Sequence, residues 1–228
     1  MSCTKRSLFA FSILGLFVLA CSAASAGPLY DDQCYPAVTN TEGMNPFDRL
    51  EAVEEIKKTK ARYFRCMDNK DWDCFQDTMT DDIDFNVSGA LYALDESGNA
   101  HKSGDVVIDP NQIDQSFWQV NGAVNVRFWE AGALTGAQTM HQGHMPEVTL
   151  TSPDTAVACF TLTHHLRFPM FNPFAGTPLE SFLPSQPPHP ELFGYGFYRE
   201  EYERGNDGKW RISHLRFHTF RVDITYQR

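Results

Sequence analysis

Thr155-Ala156-Val157-Ala158-Cys159-Phe160-Thr161-Leu162-Thr163-His164-His165-Leu166-Arg167 holds neither proline nor glycine, is rich in β-branched and aromatic side chains, and follows the turn signal Ser152-Pro153-Asp154. Three stretches of the same kind flank it: Thr139 to Thr151, Phe193 to Glu203, and Trp210 to Tyr226, the last two separated by Gly205-Asn206-Asp207-Gly208. Strands joined in this way form an antiparallel meander. The chain ahead of them has the other period. Asn45 is a good N-cap, Pro46 stands at the first helical position with Asp48 in the first turn, and Leu50, Val53, Ile56, Phe64 and Met67 keep an apolar stripe through about Asp68. Helices followed by a meander make an α+β fold in which one sheet face is buried under the helices. A strongly curved sheet covered in this way encloses a conical pocket.

Between these halves, Asp71 caps a second, short helix holding Trp72, Phe75 and Met79. Ile83 to Val87 alternates and reads as the first strand, Val106 to Ile108 as a short second one, and Asn111 to about Val120 as a weaker third helix. Phe168 to Leu192 breaks the strand pattern, with Pro169, Pro173, Pro178, Pro184, Pro187, Pro188 and Pro190 set among Phe171, Phe174 and Phe182. Structureless loops of that length in compact domains are functional or disordered. This proline-rich insertion, 168–192, reads either as an apolar lid over the pocket mouth or as an exposed insertion or dimer contact.

The 228 residues are 42% hydrophobic and 13% aromatic, the composition of an ordinary globular protein. Residues 1–26 resemble a secretory signal peptide: Lys5-Arg6, an apolar run from Leu8 to Ala20, and the small residues Ala23-Ala24-Ser25-Ala26. That run is short for a membrane span. Val18-Leu19-Ala20-Cys21 also resembles a bacterial lipobox, so lipid anchoring through Cys21 is the alternative to secretion or export to the periplasm. Cleavage leaves 17 basic residues against 29 acidic ones, which makes nucleic acid a poor partner. Residues 27–45 are a polar arm, and 46–226 fit one domain able to bury about 70% of its unfolded surface. Cys34, Cys66, Cys74 and Cys159 allow two disulfides by three connectivities, among them a local Cys66–Cys74 bridge or a tie from Cys34 to one of that pair. Asn86-Val87-Ser88 is a glycosylation sequon that falls inside a reading-frame for a strand.

Three motifs then come together. Ala61-Arg62-Tyr63-Phe64-Arg65-Cys66-Met67-Asp68-Asn69-Lys70-Asp71-Trp72-Asp73, Met140-His141-Gln142-Gly143-His144-Met145-Pro146, and Gly194-Tyr195-Gly196 with Glu201-Tyr202 before Trp210-Arg211-Ile212 resemble the SnoaL-like proteins of the nuclear-transport-factor-2-like superfamily, over about Phe47 to Asp223. Members include polyketide cyclases, scytalone dehydratase, bile-acid dehydratase and lindane dehydrochlorinase, as well as proteins that only bind ligands. The resemblance implies a cone-shaped α+β barrel with an internal pocket. Tyr63 and Asp68 have the Tyr-x4-Asp spacing of the dehydratase-like members. His141 falls where those enzymes and the dehydrochlorinase place the histidine that abstracts a proton, paired with the helix aspartate. The chemistry is sound on its own terms: histidine is a base at physiological pH, a carboxylate on its other nitrogen fixes the tautomer, and a tyrosine hydroxyl donates to a developing oxyanion. A carboxylate at the C-terminal end of a helix opposes the helix dipole, so Asp68 needs some such reason to be there.

Strand parity complicates the histidine. Val148 and Leu150 are expected to face the core; His144 shares their parity and His141 does not, unless a bulge between His141 and His144 returns His141 to the inner face. Gly143 and Pro146 suit such a site. His144 is therefore a second pocket residue by expectation, and Trp72, Phe171 and Phe174 are apolar lining. Arg216 is a candidate for an anion or carbonyl contact, set against the reading of an outward arginine paired with an acid. His164 and His165 face opposite ways in a regular strand, and His214 and His218 lie about 13 Å apart, so no metal ligand set emerges. No Gly-rich phosphate loop or Gly-x-Ser-x-Gly elbow is present, and no cofactor is expected.

The expectation is an exported SnoaL-like enzyme, without cofactor, that eliminates, isomerises or cyclises a small apolar cyclic substrate, with a homo-oligomer formed through the sheet as a further expectation. The alternative is a noncatalytic pocket protein of the same fold. Protein from the native host is expected to begin near Gly27 on N-terminal sequencing and to contain at least one disulfide on thiol counting. A retained Met1, or four free thiols, would count against export.

Overall fold

The computed structural model describes residues 39–89, 116–168 and 190–226. The expected strand at 106–108, the signal segment, Cys34 and the proline-rich stretch with Phe171 and Phe174 lie outside these residues. Helix α1, Pro46–Asp68, starts as its capping residues dictate, with Asn45 Oδ1 accepting from the Phe47 amide at 2.9 Å and proline at the first position. Its buried stripe is Ala52, Ile56, Thr59, Lys60, Tyr63, Phe64 and Met67, while Leu50, expected within the stripe, is exposed. The helix ends because Lys70 turns left-handed, φ 61°, and the chain folds back so that the Asp71 amide donates to the Cys66 carbonyl at 2.9 Å. Asp71 then caps α2, Trp72–Gln76, through a 3.1 Å bond from the Cys74 amide, and a Cys66–Cys74 disulfide fastens α2 to α1. Cys159 is also disulfide-bonded.

Strand β1, Met79–Gly89, is followed by a short 3-10 turn, Ser116–Trp118, β2, Gln119–Asn121, and helix α3, Ala123–Leu134. Over 116–120, the part of the expected third helix that is described, the chain forms that turn and strand instead, and a helix lies further on. Its apolar residues surround it, with Ala123, Val126 and Leu134 buried but Val124 and Phe128 exposed, so no one-sided period marks it. It begins at Gly122, φ 86°, without a side-chain cap. The four long strands follow as β3, Gln138–Leu150, β4, Thr155–Arg167, β5, Pro190–Arg204, and β6, Trp210–Tyr226. They form an antiparallel meander, and β6 then pairs in parallel with β1, giving the mixed order β2-β1-β6-β5-β4-β3, a sheet that stays open. Pro190 opens β5, a position where its missing N–H is tolerated. Asn86 lies within β1, where its side-chain oxygen accepts from both the amide and hydroxyl of Ser88, not on the surface loop a glycosylation site needs. Among the described residues no helix is long and apolar enough to cross a membrane.

Alternation along the strands decides what the helices cover. Ala156, Ala158, Phe160, Leu162 and His164 on β4 and Tyr198, Glu200 and Tyr202 on β5 point inward with Leu215 and Phe217 of β6, and α1 lies over them. An ion pair enters this core between α1 and β5. The Lys60 ammonium lies 2.5 Å from Glu200, whose other oxygen accepts from the Tyr202 hydroxyl at 2.5 Å, and neither ionic side chain is more than 1% exposed. The rings of Tyr198 at 3.5 Å, Tyr63 at 4.0 Å and Phe64 at 4.5 Å box the ammonium in. Burial lowers the Lys60 pKa to about 8, with the Glu200 carboxylate working against that fall.

Such a pair is costly to break by halves. Lys60→Met is expected to destabilise the fold by about 3–5 kcal/mol because it strands the Glu200 charge, whereas Lys60→Met combined with Glu200→Gln recovers most of the loss. Urea denaturation of the three variants measures this, and equal losses in the single and double variants would show that the pair does not act as a unit.

Candidate functional site

Asp68 is the last residue of α1, where a carboxylate meets the unfavourable end of the helix dipole. What it receives in exchange comes from β3. Oδ2 accepts the backbone N–H of His141 at 2.9 Å, and Oδ1 is 2.7 Å from His141 Nδ1 and 2.8 Å from the Thr139 hydroxyl that donates to it. An ionised carboxylate only accepts, so the shared proton belongs on Nδ1 and the lone pair on Nε2. Burial works against the Asp68 charge, but the bonds from the His141 ring, its backbone and Thr139 outweigh it and hold the carboxyl below its ordinary range. For His141 burial is the larger effect; against the pull of Asp68, and helped by the Lys70 and Lys60 charges, it leaves the imidazole less basic than usual. At neutral pH the pair is therefore carboxylate and neutral imidazole.

The register of β3 explains how His141 comes to face inward. It pairs with the inward His164, and the expected bulge exists but lies between His144 and Glu147, at Met145 with φ 40° and Pro146. The bulge lets His141 and Gly143 share the inner face with Val148 and Leu150 despite opposite parity. It also corrects the expectation for His144. That residue opposes Thr161 and points out, exposed, with Nε2 3.2 Å from the Thr163 hydroxyl.

Other expected residues separate likewise. Arg216 is on the outer face of β6, where it pairs with Asp84 at 2.5 Å and donates to the Asp84 carbonyl at 3.2 Å, the outward-arginine reading. Trp72 packs edge-on against Phe75 at 5.9 Å, partly buried against the hydrophobic core. Tyr63 is 1% exposed and packed edge-on to Phe64 at 5.7 Å, next to the site; burial pushes its hydroxyl well above the usual range, so it stays a proton donor.

The other side chains around His141 come from residues that the sequence reading did not assign to the site. Phe64 lies nearly parallel to the His141 ring, 6.1 Å between centroids, and Gly143 has no side chain because a Cβ there would meet Phe64 at 2.8 Å. The His164 ring stands edge-on to His141 at 5.9 Å, and its buried Nε2 has no hydrogen-bond partner among the described residues. Gly194 across the ladder leaves that ring its space, since a Cβ would fall 2.1 Å from Nε2. Burial, with His141 and His165 nearby, lowers the His164 pKa to about 3, so it is neutral at all ordinary pH. On α3, Glu130 is buried, and burial raises its pKa to about 7 against the opposing charges of Lys70 and Lys60. Lys60 had a legible signal, four residues from both Ile56 and Phe64 on an apolar stripe; the histidine pair had none before the strands were paired. Among the described residues no three His, Cys, Asp or Glu side chains converge on a metal position.

A family model for the SnoaL-like domain matches residues 48–216. Among solved structures the chain is similar to a type 2 hexachlorocyclohexane dehydrochlorinase, LinA, with TM-score 0.55 and 13% identity over 81% of this chain and 95% of that one. The type 3 enzyme from Novosphingobium barchaimii gives TM-score 0.53 and 13% identity, over 81% and 97%. A protein of Novosphingobium aromaticivorans provisionally named a scytalone dehydratase gives TM-score 0.53 and 12% identity, over 81% and 94%. At these identities the likeness is one of fold.

The neutral His164 ties stability to pH. Its unfolded form takes a proton near pH 6.5 and its folded form only near pH 3, so between those values the unfolded chain binds the extra proton and the fold loses about 1.4 kcal/mol per pH unit as pH falls. His164→Gln is expected to flatten the dependence of stability on pH between pH 6.5 and 4 by about that slope. Urea midpoints across this range test it, and parallel curves for the two proteins would refute it.

Proposed function

Because the chain belongs to the SnoaL-like domain family, we propose that it is an exported, cofactor-independent enzyme that eliminates, isomerises or cyclises a small, largely apolar cyclic substrate with His141 as general base. The observation that carries this reading is the double attachment of His141 to Asp68, 2.7 Å through the ring and 2.9 Å through the backbone. A surface ion pair needs neither the buried imidazole nor the second bond. Two of the fold relatives described above are dehydrochlorinases and a third is named for a dehydratase, so elimination leads among the three reactions.

In the proposed reaction Nε2 of His141 removes a proton from a carbon of the substrate beside the leaving group, and Asp68 stabilises the imidazolium that forms on Nδ1 and Nε2. The electrons left on carbon form the new double bond as the leaving group departs. Because burial makes His141 less basic than usual, its neutral form is present throughout the physiological range. His164, edge-on to its ring, and Tyr63, packed on Phe64, are the candidates to meet developing negative charge on the departing group. Phe64 and Tyr198 supply apolar surface for a ring.

His141→Ala is expected to lower turnover by roughly a hundredfold or more, with affinity for a competitive ligand far less changed. Asp68→Asn leaves the imidazole but removes its orienting charge, so a smaller loss is expected. The acid limb of the pH–rate profile should fall below the usual histidine value of about 6.5, since the neutral form is the active one. Turnover and binding measured over a panel of hydroxylated and halogenated cyclic compounds test these expectations. Unchanged turnover in His141→Ala would sink the mechanism, and tight binding without turnover across the panel would favour a noncatalytic pocket protein.

A further inference from the structure

Lys70 sits where helix α1 has just ended, in the left-handed region at φ 61°, a conformation that glycine or asparagine takes with least cost. Its side chain does not run out to solvent. Nζ turns back to donate to the Thr139 hydroxyl at 2.6 Å and the Met67 carbonyl at 3.2 Å. An ammonium has no lone pair, so toward Lys70 the Thr139 oxygen accepts, and its single proton is left for Asp68 Oδ1, 2.8 Å away. The directions of three successive bonds follow from the first: Lys70 to Thr139, Thr139 to Asp68, and Asp68 accepting from Nδ1 of His141 at 2.7 Å.

We propose that Lys70, acting through the Thr139 hydroxyl, is a positioning residue that holds the Asp68 carboxylate in the orientation fixing the Nδ1–H tautomer of His141. The proposal rests on the reading of Asp68 and His141 as the proton-transferring pair. Thr139 and His141 are both inward residues of β3, two apart, so one carboxylate from α1 meets both. Were the hydroxyl free to turn, Asp68 would lose one of its three bonds, and its torsion toward the ring would be held by His141 alone. The groups that bear on the His141 ring are Asp68 and Lys60 from α1, Lys70 beyond its end, and His164 from β4, while Glu130 from α3 bears on Lys60 and Lys70. Of these only Lys70 is joined to Asp68 by a hydroxyl whose proton it directs. A lysine that merely closed the helix would need the Met67 carbonyl and not Thr139.

The test is a nitrogen-detected NMR titration of His141, which reports tautomer and titration midpoint without requiring turnover, in wild type, Lys70→Met, Lys70→Arg, Thr139→Val and Thr139→Ser. Lys70→Met and Thr139→Val are expected to convert the Nδ1–H form into a mixture of tautomers. Lys70→Met should also move the midpoint upward, because a cation beside the imidazole is lost. Lys70→Arg and Thr139→Ser, which keep the charge and the hydroxyl, should restore the wild-type tautomer. Where substrate is turned over, the two disruptive variants should lose roughly ten- to a hundredfold in kcat with KM little changed. Lys70→Gly, which suits the left-handed backbone, carries the same test if Lys70→Met does not fold. An unmoved tautomer in Lys70→Gly and Thr139→Val would overturn the proposal. A shifted tautomer in a protein without turnover would uphold it while removing the enzymatic reading.

Discussion

The Asp68 carboxylate joins the end of a helix to the open edge of a sheet, and much of the rest of the structure is arranged so that this junction holds. Among the described residues β3 is an edge strand, with β4 on one side, and an edge strand is exposed to slippage and to pairing with other chains. By taking the backbone N–H of His141 as well as its ring, Asp68 fixes the strand's position and the side chain's orientation together. On the helix side, the position of Asp68 depends on where α1 stops. The left-handed Lys70, the bond from Asp71 back to Cys66 and the Cys66–Cys74 disulfide all act within a few residues of that stop.

The polar interior has an internal logic of charge. A buried ammonium on Lys60, boxed by rings and answered by Glu200, leaves no net charge where the pair lies beneath α1. His164 is neutral because burial suppresses its protonation, and burial pushes the Glu130 carboxyl up to about 7 against the charges of Lys70 and Lys60. With Lys60 answered by Glu200, the ionised carboxylate of Asp68 has Lys70 as a charged neighbour. In a medium that screens little, this keeps the field at His141 dominated by the group bonded to it.

Much of this could be read from residue order. The four long strands and α1 announce themselves by period and by their caps, because long elements average over many positions. The Tyr63-x4-Asp68 spacing and His141 were legible through the resemblance to the SnoaL-like proteins, and Asp68 also because a carboxylate at the C-terminal end of a helix needs a reason. What the residues did not disclose is decided by pairing. His164 becomes a neighbour of His141 only through the β3–β4 register, and Thr139 meets Lys70 only because α1 ends above it. Helix α3 escaped because apolar side chains on both its faces erase the period by which short helices are found. His144 was misplaced because parity along a strand holds only between irregularities, and β3 contains one, while for Arg216 the outward pairing with an acid was the alternative that the structure selects.

The bulge at Met145 and Pro146 therefore has a meaning beyond local geometry. On one side of it odd-numbered residues face inward, on the other even-numbered ones, so the inner face is set by a count of residues. Removing one residue there would change no site side chain, yet the strand would have to turn either Val148 and Leu150 or Thr139 and His141 to the outside. The site is thus sensitive to length in a segment that contributes nothing to it chemically. Among relatives, single-residue insertions or deletions between residues 144 and 147 would be a sharper divide between proteins that keep this inward histidine and those that do not than any substitution of the side chains around it.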